Sequence, residues 1–229
     1  MHIHLPKPSH GWREFLGEIG VIVIGVLIAL GAEQAVEAAH HRSQVHEMTA
    51  KLRAESLENR HVLDYDLLVM RQASAEIDAD ITALGSCTGS RAELRPLASV
   101  NFLLPSDTAW LAVRDSDLLP LMPEGLTDSY WKLDTTQAAI IGSLQGYDTG
   151  VVQAEGAVES VRVGDADRQV CDEALMALER LKGTVRLVSG LTHFYRRSNE
   201  RVLRGERLDL AGDVLRRQSQ MARAGELRS

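Results

Sequence analysis

The chain has 229 residues, room for one membrane span and one domain, with 45% apolar and only 4% aromatic residues. Its formal net charge of −7 argues against a general nucleic-acid binder, and no nucleic-acid partner is expected. Gly and Pro are scattered, which excludes low complexity, and no repeat of solenoid length is present.

Residues 1–14 read as a short polar leader, kept extended by Pro6 and Pro8 and too short to carry a signalling domain. Trp12 is placed for a membrane interface and Arg13 for the headgroups. Phe15–Ala32 then reads as a transmembrane helix. The uncharged run between Glu18 and Glu33 is only 14 residues, about 21 Å against a hydrocarbon core of roughly 30 Å. From Phe15 the stretch reaches 18 residues with one acid near an end, and eleven of them are Leu, Ile, Val or Phe. Those eleven supply about −3 to −7 kcal/mol of insertion free energy. A single Glu costs about 3 kcal/mol at the centre and less near an end, so insertion wins. A cleaved signal peptide is the alternative, since Ala29-Leu30-Gly31 fits a small-x-small site. Against it, the helical pattern continues past Ala32.

Gly17-Glu18-Ile19, followed by Val23-Ile24-Gly25-Val26-Leu27-Ile28-Ala29-Leu30, resembles the signature of a group of uncharacterised bacterial single-span inner-membrane proteins. The resemblance covers roughly residues 12 to 42. It implies a membrane anchor and brings no activity, cofactor or catalytic residue with it. Past the shared string this chain reads Gly31-Ala32-Glu33-Gln34-Ala35, where many members carry a Gln-Ile-x-x-Trp type of sequence.

Orientation follows from the basic residues that flank the span. Lys7 and Arg13 precede it, and only Arg42 lies in the first fifteen residues after it. The bias favours a cytoplasmic N-terminus and a periplasmic domain in a bacterial inner membrane. Residues 33–204 are expected to form an extracytoplasmic helical bundle. The helical pattern runs without proline from Trp12 to Leu84. Leu63, Leu67, Met70, Ser74, Ile77, Ile81 and Leu84 make a heptad-like seam. Nearer the span, Val45, Met48 and Leu52 fit the seam, but Glu55 and Asn59 turn polar, which reads as a looser or exposed stretch.

A turn is expected at Gly85–Ser90 and an irregular region from Arg91 to Pro123. Within it Asp107 is placed to cap a short helix carrying Trp110 and Val113, and Leu118–Met122 to plug one end of the bundle. Pro123 opens the next helix. There Leu126, Tyr130, Leu133, Gln137, Ile140, Leu144, Tyr147, Val151, Ala154, Val158 and Val161 keep strict 4-3 spacing. After a turn at Gly164-Asp165, Cys171, Ala174, Leu178, Leu181, Val185, Val188, Thr192 and Tyr195 define another helix. Three long helices with short turns predict an all-α fold: one transmembrane helix continuing into an antiparallel, up-down bundle. Residues 205–229 read as a basic tail with a short helix near Leu208–Ala224.

Glu18, Ile22, Gly25, Ala29 and Ala32 fall on one stripe of the span, rich in small residues that let helices approach closely in lipid. They are the candidate partner-helix contact, with Glu18 bonded to the partner; the plainer reading is a lone anchor whose Glu18 snorkels. Cys87 and Cys171 either pair, adding about 4 kcal/mol by chain entropy, or sit as two buried thiols. Glu37-x-x-His40 and Glu58-x-x-His61 each match half of a di-iron motif, but lie about 31 Å apart on one helix and do not converge. His193 reads as a surface or core histidine. Gly142, Gly146 and Gly150 recur every four residues, each costing about 1 kcal/mol in a helix. That points to close helix approach, or to a groove beside them. Arg196, Arg197, Arg201, Arg204 and Arg207 form a basic run, either a solvated face or a contact for acidic headgroups or an acidic partner. No Ser-His-Asp, Cys-His or phosphate-loop arrangement has useful spacing, so no catalytic, metal or cofactor residue is assigned.

The reading is a non-enzymatic single-pass interaction protein, an accessory or scaffold subunit in contact with lipid and with another membrane protein or its own copies. The alternatives are a ligand-sensing bundle acting through a partner, and a metal-dependent helical-bundle enzyme.

Overall fold

The computed structural model describes residues 11–85, 94, 97, 100–163, 167–209 and 212. Among them every regular element is helical. The elements are α1 (Trp12–Leu84), α2 (Thr108–Arg114), a 3-10 turn (Leu119–Leu121), α3 (Glu124–Val163) and α4 (Arg168–Leu203). The chain divides into two units, Met1–Met48 and Thr49–Ser229.

The described part of the first unit is the N-terminal portion of α1. Among the described residues the apolar side chains from Phe15 to Leu30 are exposed: Val21 is 72% exposed and Ile28 66%. An 18-residue apolar window here has none of its residues buried. This helix is long and apolar enough to cross a membrane.

The second unit is a bundle built on α1 from Thr49, α3 and α4. Its directions follow from side-chain partners. Going up α1, Ser56, Asp64, Asp78 and Leu84 meet Asn199, Arg196, Lys182 and Cys171 in turn, so α4 is antiparallel to α1. Tyr195 meets Gln137 and Leu181 meets Gly150, so α4 is antiparallel to α3 as well. Ser56 meets Tyr130, while Ala73 and Ile77 share a cavity with Tyr147 and Val151, so α1 and α3 run the same way.

The segment between α1 and α2 therefore has to travel the length of the bundle. Leu97 bonds Glu155, Leu103 bonds Asp66, and Ser106 bonds Asn59, in descending order along α1 and α3. The order is up-down-up-down, with an extended segment in place of the second helix.

The periodic cores of α3 and α4 lie inside. All eight predicted α4 positions are buried, and nine of the eleven on α3; Leu126 and Val151 are half-buried. On α1, Leu63, Leu67, Met70, Ile77 and Leu84 are buried, while Ser74 and Ile81 are only half-buried. A second stripe, spaced by seven, joins them: Leu52, Asn59, Asp66, Ala73 and Asp80 are all buried. The expectation of a loose or exposed stretch at Asn59 is thereby corrected, because the extended segment covers that side of the helix.

Local signals account for the ends. α3 starts one residue after Pro123, whose carbonyl accepts from Leu126 and Thr127 N–H. Asp167 caps α4, its Oδ1 accepting from Val170 N–H at 3.0 Å. α4 ends in a Schellman motif: Glu206 N–H bonds Arg201 C=O, Gly205 N–H bonds Val202 C=O, and Gly205 takes φ +77°. Beyond it Leu208 is buried, with its N–H on Ser129 Oγ and its carbonyl on Lys132 Nζ.

Two expectations fail in detail. Asp107 precedes α2 but makes no side-chain cap. Glu55, reaching over from α1, accepts Ala109 N–H at 2.8 Å instead. In the Leu118–Met122 plug only Met122 is buried, and Leu121 is 44% exposed. The predicted turns at Gly85–Ser90, of which only Gly85 is described, and at Gly164-Asp165 lie outside the described residues. So does nearly all of the tail helix.

Candidate functional site

Glu18, Ile22, Gly25, Ala29 and Ala32 all lie on α1 in the first unit, and all are exposed. At 100° per residue they keep within one narrow stripe of the helix. A Cβ built on Gly25 would meet nothing within 4 Å. The stripe is thus an open surface of apolar and small side chains with one carboxylate at its start.

In the second unit, polar groups converge where the extended segment meets the bundle. Asn59 bonds both backbone groups of Ser106, its Nδ2 donating to the carbonyl and its Oδ1 accepting from the N–H, each at 2.7 Å. Gln137 Nε2 donates to Pro105 C=O at 2.8 Å. Glu55 accepts from Ser106 Oγ and Ala109 N–H. Asp66 accepts from Leu103 N–H at 3.0 Å. Burial pushes the Asp66 carboxyl above its usual range, and the backbone N–H groups of Leu103 and Leu104 pull it back only in part.

The physical reason for these residues is a backbone that lacks a ladder. An extended strand on a bundle has no neighbouring strand, so its N–H and C=O groups need side chains. Asn59 and Asp66, seven apart on α1, supply them. Nothing in heptad counting distinguishes such residues from a solvated face. The available signal was their spacing: Leu52, Asn59, Asp66, Ala73 and Asp80 share one heptad position.

Deeper in, Tyr130 Oη donates to Leu52 C=O at 3.0 Å and lies 2.8 Å from Ser56 Oγ. Tyr195 Oη donates to Gln137 Oε1, and burial pushes its phenol well up. Asn199 Nδ2 donates to Ser56 C=O. Trp110 stacks on Tyr130 at 5.7 Å and meets Trp131 edge-on at 5.3 Å. Trp110 Nε1 and Asn199 Oδ1 find no partner among the described residues. A cavity of about 10 Å³ lined by Trp110, Tyr130 and Gln137 has room for one water. These groups bond one another and the backbone.

The remaining candidates do not converge. Glu37, His40, Glu58 and His61 are all exposed on α1. No group of three or more His, Cys, Asp or Glu suited to a metal forms among the described residues. His193 is half-buried, and burial together with Arg197, Arg71 and Arg196 holds its imidazole below the usual range. The basic run is mostly paired within the chain. Arg196 binds Asp64 and Glu200, Arg201 and Arg204 bind Glu206, and Arg207 approaches Asp128 at 3.5 Å. Arg197, Arg204 and Arg207 are exposed, so the run is a solvated face laced with ion pairs. Cys171 is disulfide-bonded, with its Sγ 3.5 Å from Leu84 C=O at the end of α1. Cys87, the chain's other cysteine, lies outside the described residues.

The glycine series does not serve close helix approach as expected. Only Gly150 is tight, with Leu181 Cδ1 3.2 Å from where its Cβ would sit. Gly142 and Gly146 face open space. Together with Thr149, Ala177, Arg180 and Thr184 they line an open furrow of about 470 Å³ between α3 and α4. Gly142→Ala and Gly146→Ala should each raise bundle stability by about 1 kcal/mol, read by chemical unfolding of the detergent-solubilised protein. A loss of stability on either would mean that the backbone there is already in contact.

Comparison of the chain with protein-family models, with curated proteins and with solved structures finds no match.

Proposed function

We propose that this is a non-enzymatic single-pass membrane protein, an accessory or scaffold subunit of a bacterial inner-membrane complex. The observation that carries the reading is the exposed apolar length of α1 from Phe15, none of whose best window is buried. Exposed apolar surface on that scale calls for lipid or a partner helix. The Glu18–Ala32 stripe supplies small residues for close packing and one carboxylate for a hydrogen bond across the interface. Its likeness to the bacterial single-span group fits the same reading. The Lys7 and Arg13 flank favours a cytoplasmic N-terminus, and a disulfide at Cys171 suits an oxidising periplasm.

Purification from native membranes in mild detergent tests the proposal. A stable companion protein, or a homo-oligomer, held through the span is expected. A lone monomer would sink it. The furrow between α3 and α4 favours a second reading, a ligand-sensing bundle acting through a partner. A small molecule that raises the melting temperature of the full chain, and no longer does so in Gly146→Leu, would move the assignment there.

A further inference from the structure

We propose that Val100–Asp107 is a detachable strap, which lifts from the bundle together with the first turn of α2 as one cooperative unit while α1, α3 and α4 stay folded. The inference rests on the second unit alone and does not depend on the membrane assignment.

Few apolar groups hold the segment down. Pro105 is buried, and Phe102 packs edge-on to Tyr147 at 5.6 Å, but Asn101, Leu103 and Ser106 are exposed. Its attachment is polar instead: Asp66 to Leu103, Gln137 to Pro105, Asn59 twice to Ser106, and Glu55 to Ser106. Bonds of this kind exchange for water at small net cost.

The underside is imperfectly filled. One cavity of about 10 Å³ lies where Ser106 and Asp107 meet Asn59, Tyr130 and Gln137. Leu104 adds stored strain. Its φ of +54° is a left-handed conformation costing a non-glycine residue about 1 kcal/mol, released when the segment lifts.

The helices lose little in exchange. Their own backbone ladders are internal, and the segment reaches the α3–α4 seam, which runs from Cys171 to Tyr195, at its Tyr195 end, where Gln137 bonds both Pro105 and Tyr195. Few buried apolar contacts and side-chain-held backbone are the marks of a segment that opens below the global unfolding free energy. Opening uncovers the Asn59 and Asp66 side of α1.

Hydrogen exchange of the full chain in detergent, resolved amide by amide, tests this. Leu103, Ser106 and Ala109 N–H should exchange together, faster than the α4 amides around Leu178–Val188. Asn59→Ala should accelerate all three by at least about tenfold and leave those α4 amides unchanged. Should that variant fail to fold, Ser106→Ala removes only exposed or part-buried bonds, to Glu55 and to Thr108 at the start of α2, and should accelerate the same three together, Leu103 included. Exchange of the three amides only at the α4 rate would overturn the proposal. So would acceleration confined to Ser106.

Discussion

Replacing both Val23 and Ile24 by arginine moves the protein out of the membrane fraction. The two residues sit at the middle of Phe15–Ala32, where each arginine costs about 2.5–3.5 kcal/mol and also removes a favourable aliphatic side chain. The sum, about 6–8 kcal/mol, matches or exceeds the whole apolar contribution of about −3 to −7 kcal/mol. Longer side chains near a helix end would escape by snorkelling, but these positions are too central for that. None of the apolar window is buried among the described residues, so the bundle should unfold at an unchanged denaturant midpoint. Alkaline extraction of membranes reads the first effect and circular dichroism the second. A double-arginine protein that stays with alkali-washed membranes would remove the span from this account.

Asn59→Leu lowers the stability of the bundle by about 2–4 kcal/mol. Leucine fills much the same volume, so the loss is one of hydrogen bonding and not of packing. Ser106 N–H and C=O would both lie against a hydrocarbon side chain after losing two 2.7 Å bonds. The bonds of these two groups are part-buried, so each lost pairing costs about 1–2 kcal/mol. Lifting of the strap lets water reach them and caps the cost at the opening free energy. Glu58→Ala, one residue away on the exposed side, should change stability by less than about 0.5 kcal/mol. Urea unfolding of the two variants side by side decides it; equal midpoints would mean that Asn59 does not hold the strap.

The long helices were legible because burial repeats at their own period. The α4 positions from Cys171 to Tyr195, spaced by three and four, are all buried. The polar seam of α1 was not legible in the same way. Asn59 and Asp66 look like solvated residues to any count of apolar spacing, and their burial depends on a segment some forty residues further on. The glycines of α3 illustrate the opposite error. A four-residue repeat of Gly suggests a close neighbour, yet only Gly150 has one. Spacing identifies a face of a helix but not what lies across from it.

The sequence by itself determined the all-α class, the three long helices and the apolar length of the first, because these depend on local periodicity and on composition. Only the tertiary structure decided what covers each face. It turned an expected exposed stretch at Asn59 into an anchor, paired the basic run from Arg196 with carboxylates of three different segments, and left Gly142 and Gly146 on an open furrow. The Asn59–Ser106, Arg196–Asp64 and Arg207–Asp128 pairings join residues distant in sequence, and such pairing follows from how the chain returns along the bundle, not from the spacing of residues on one helix.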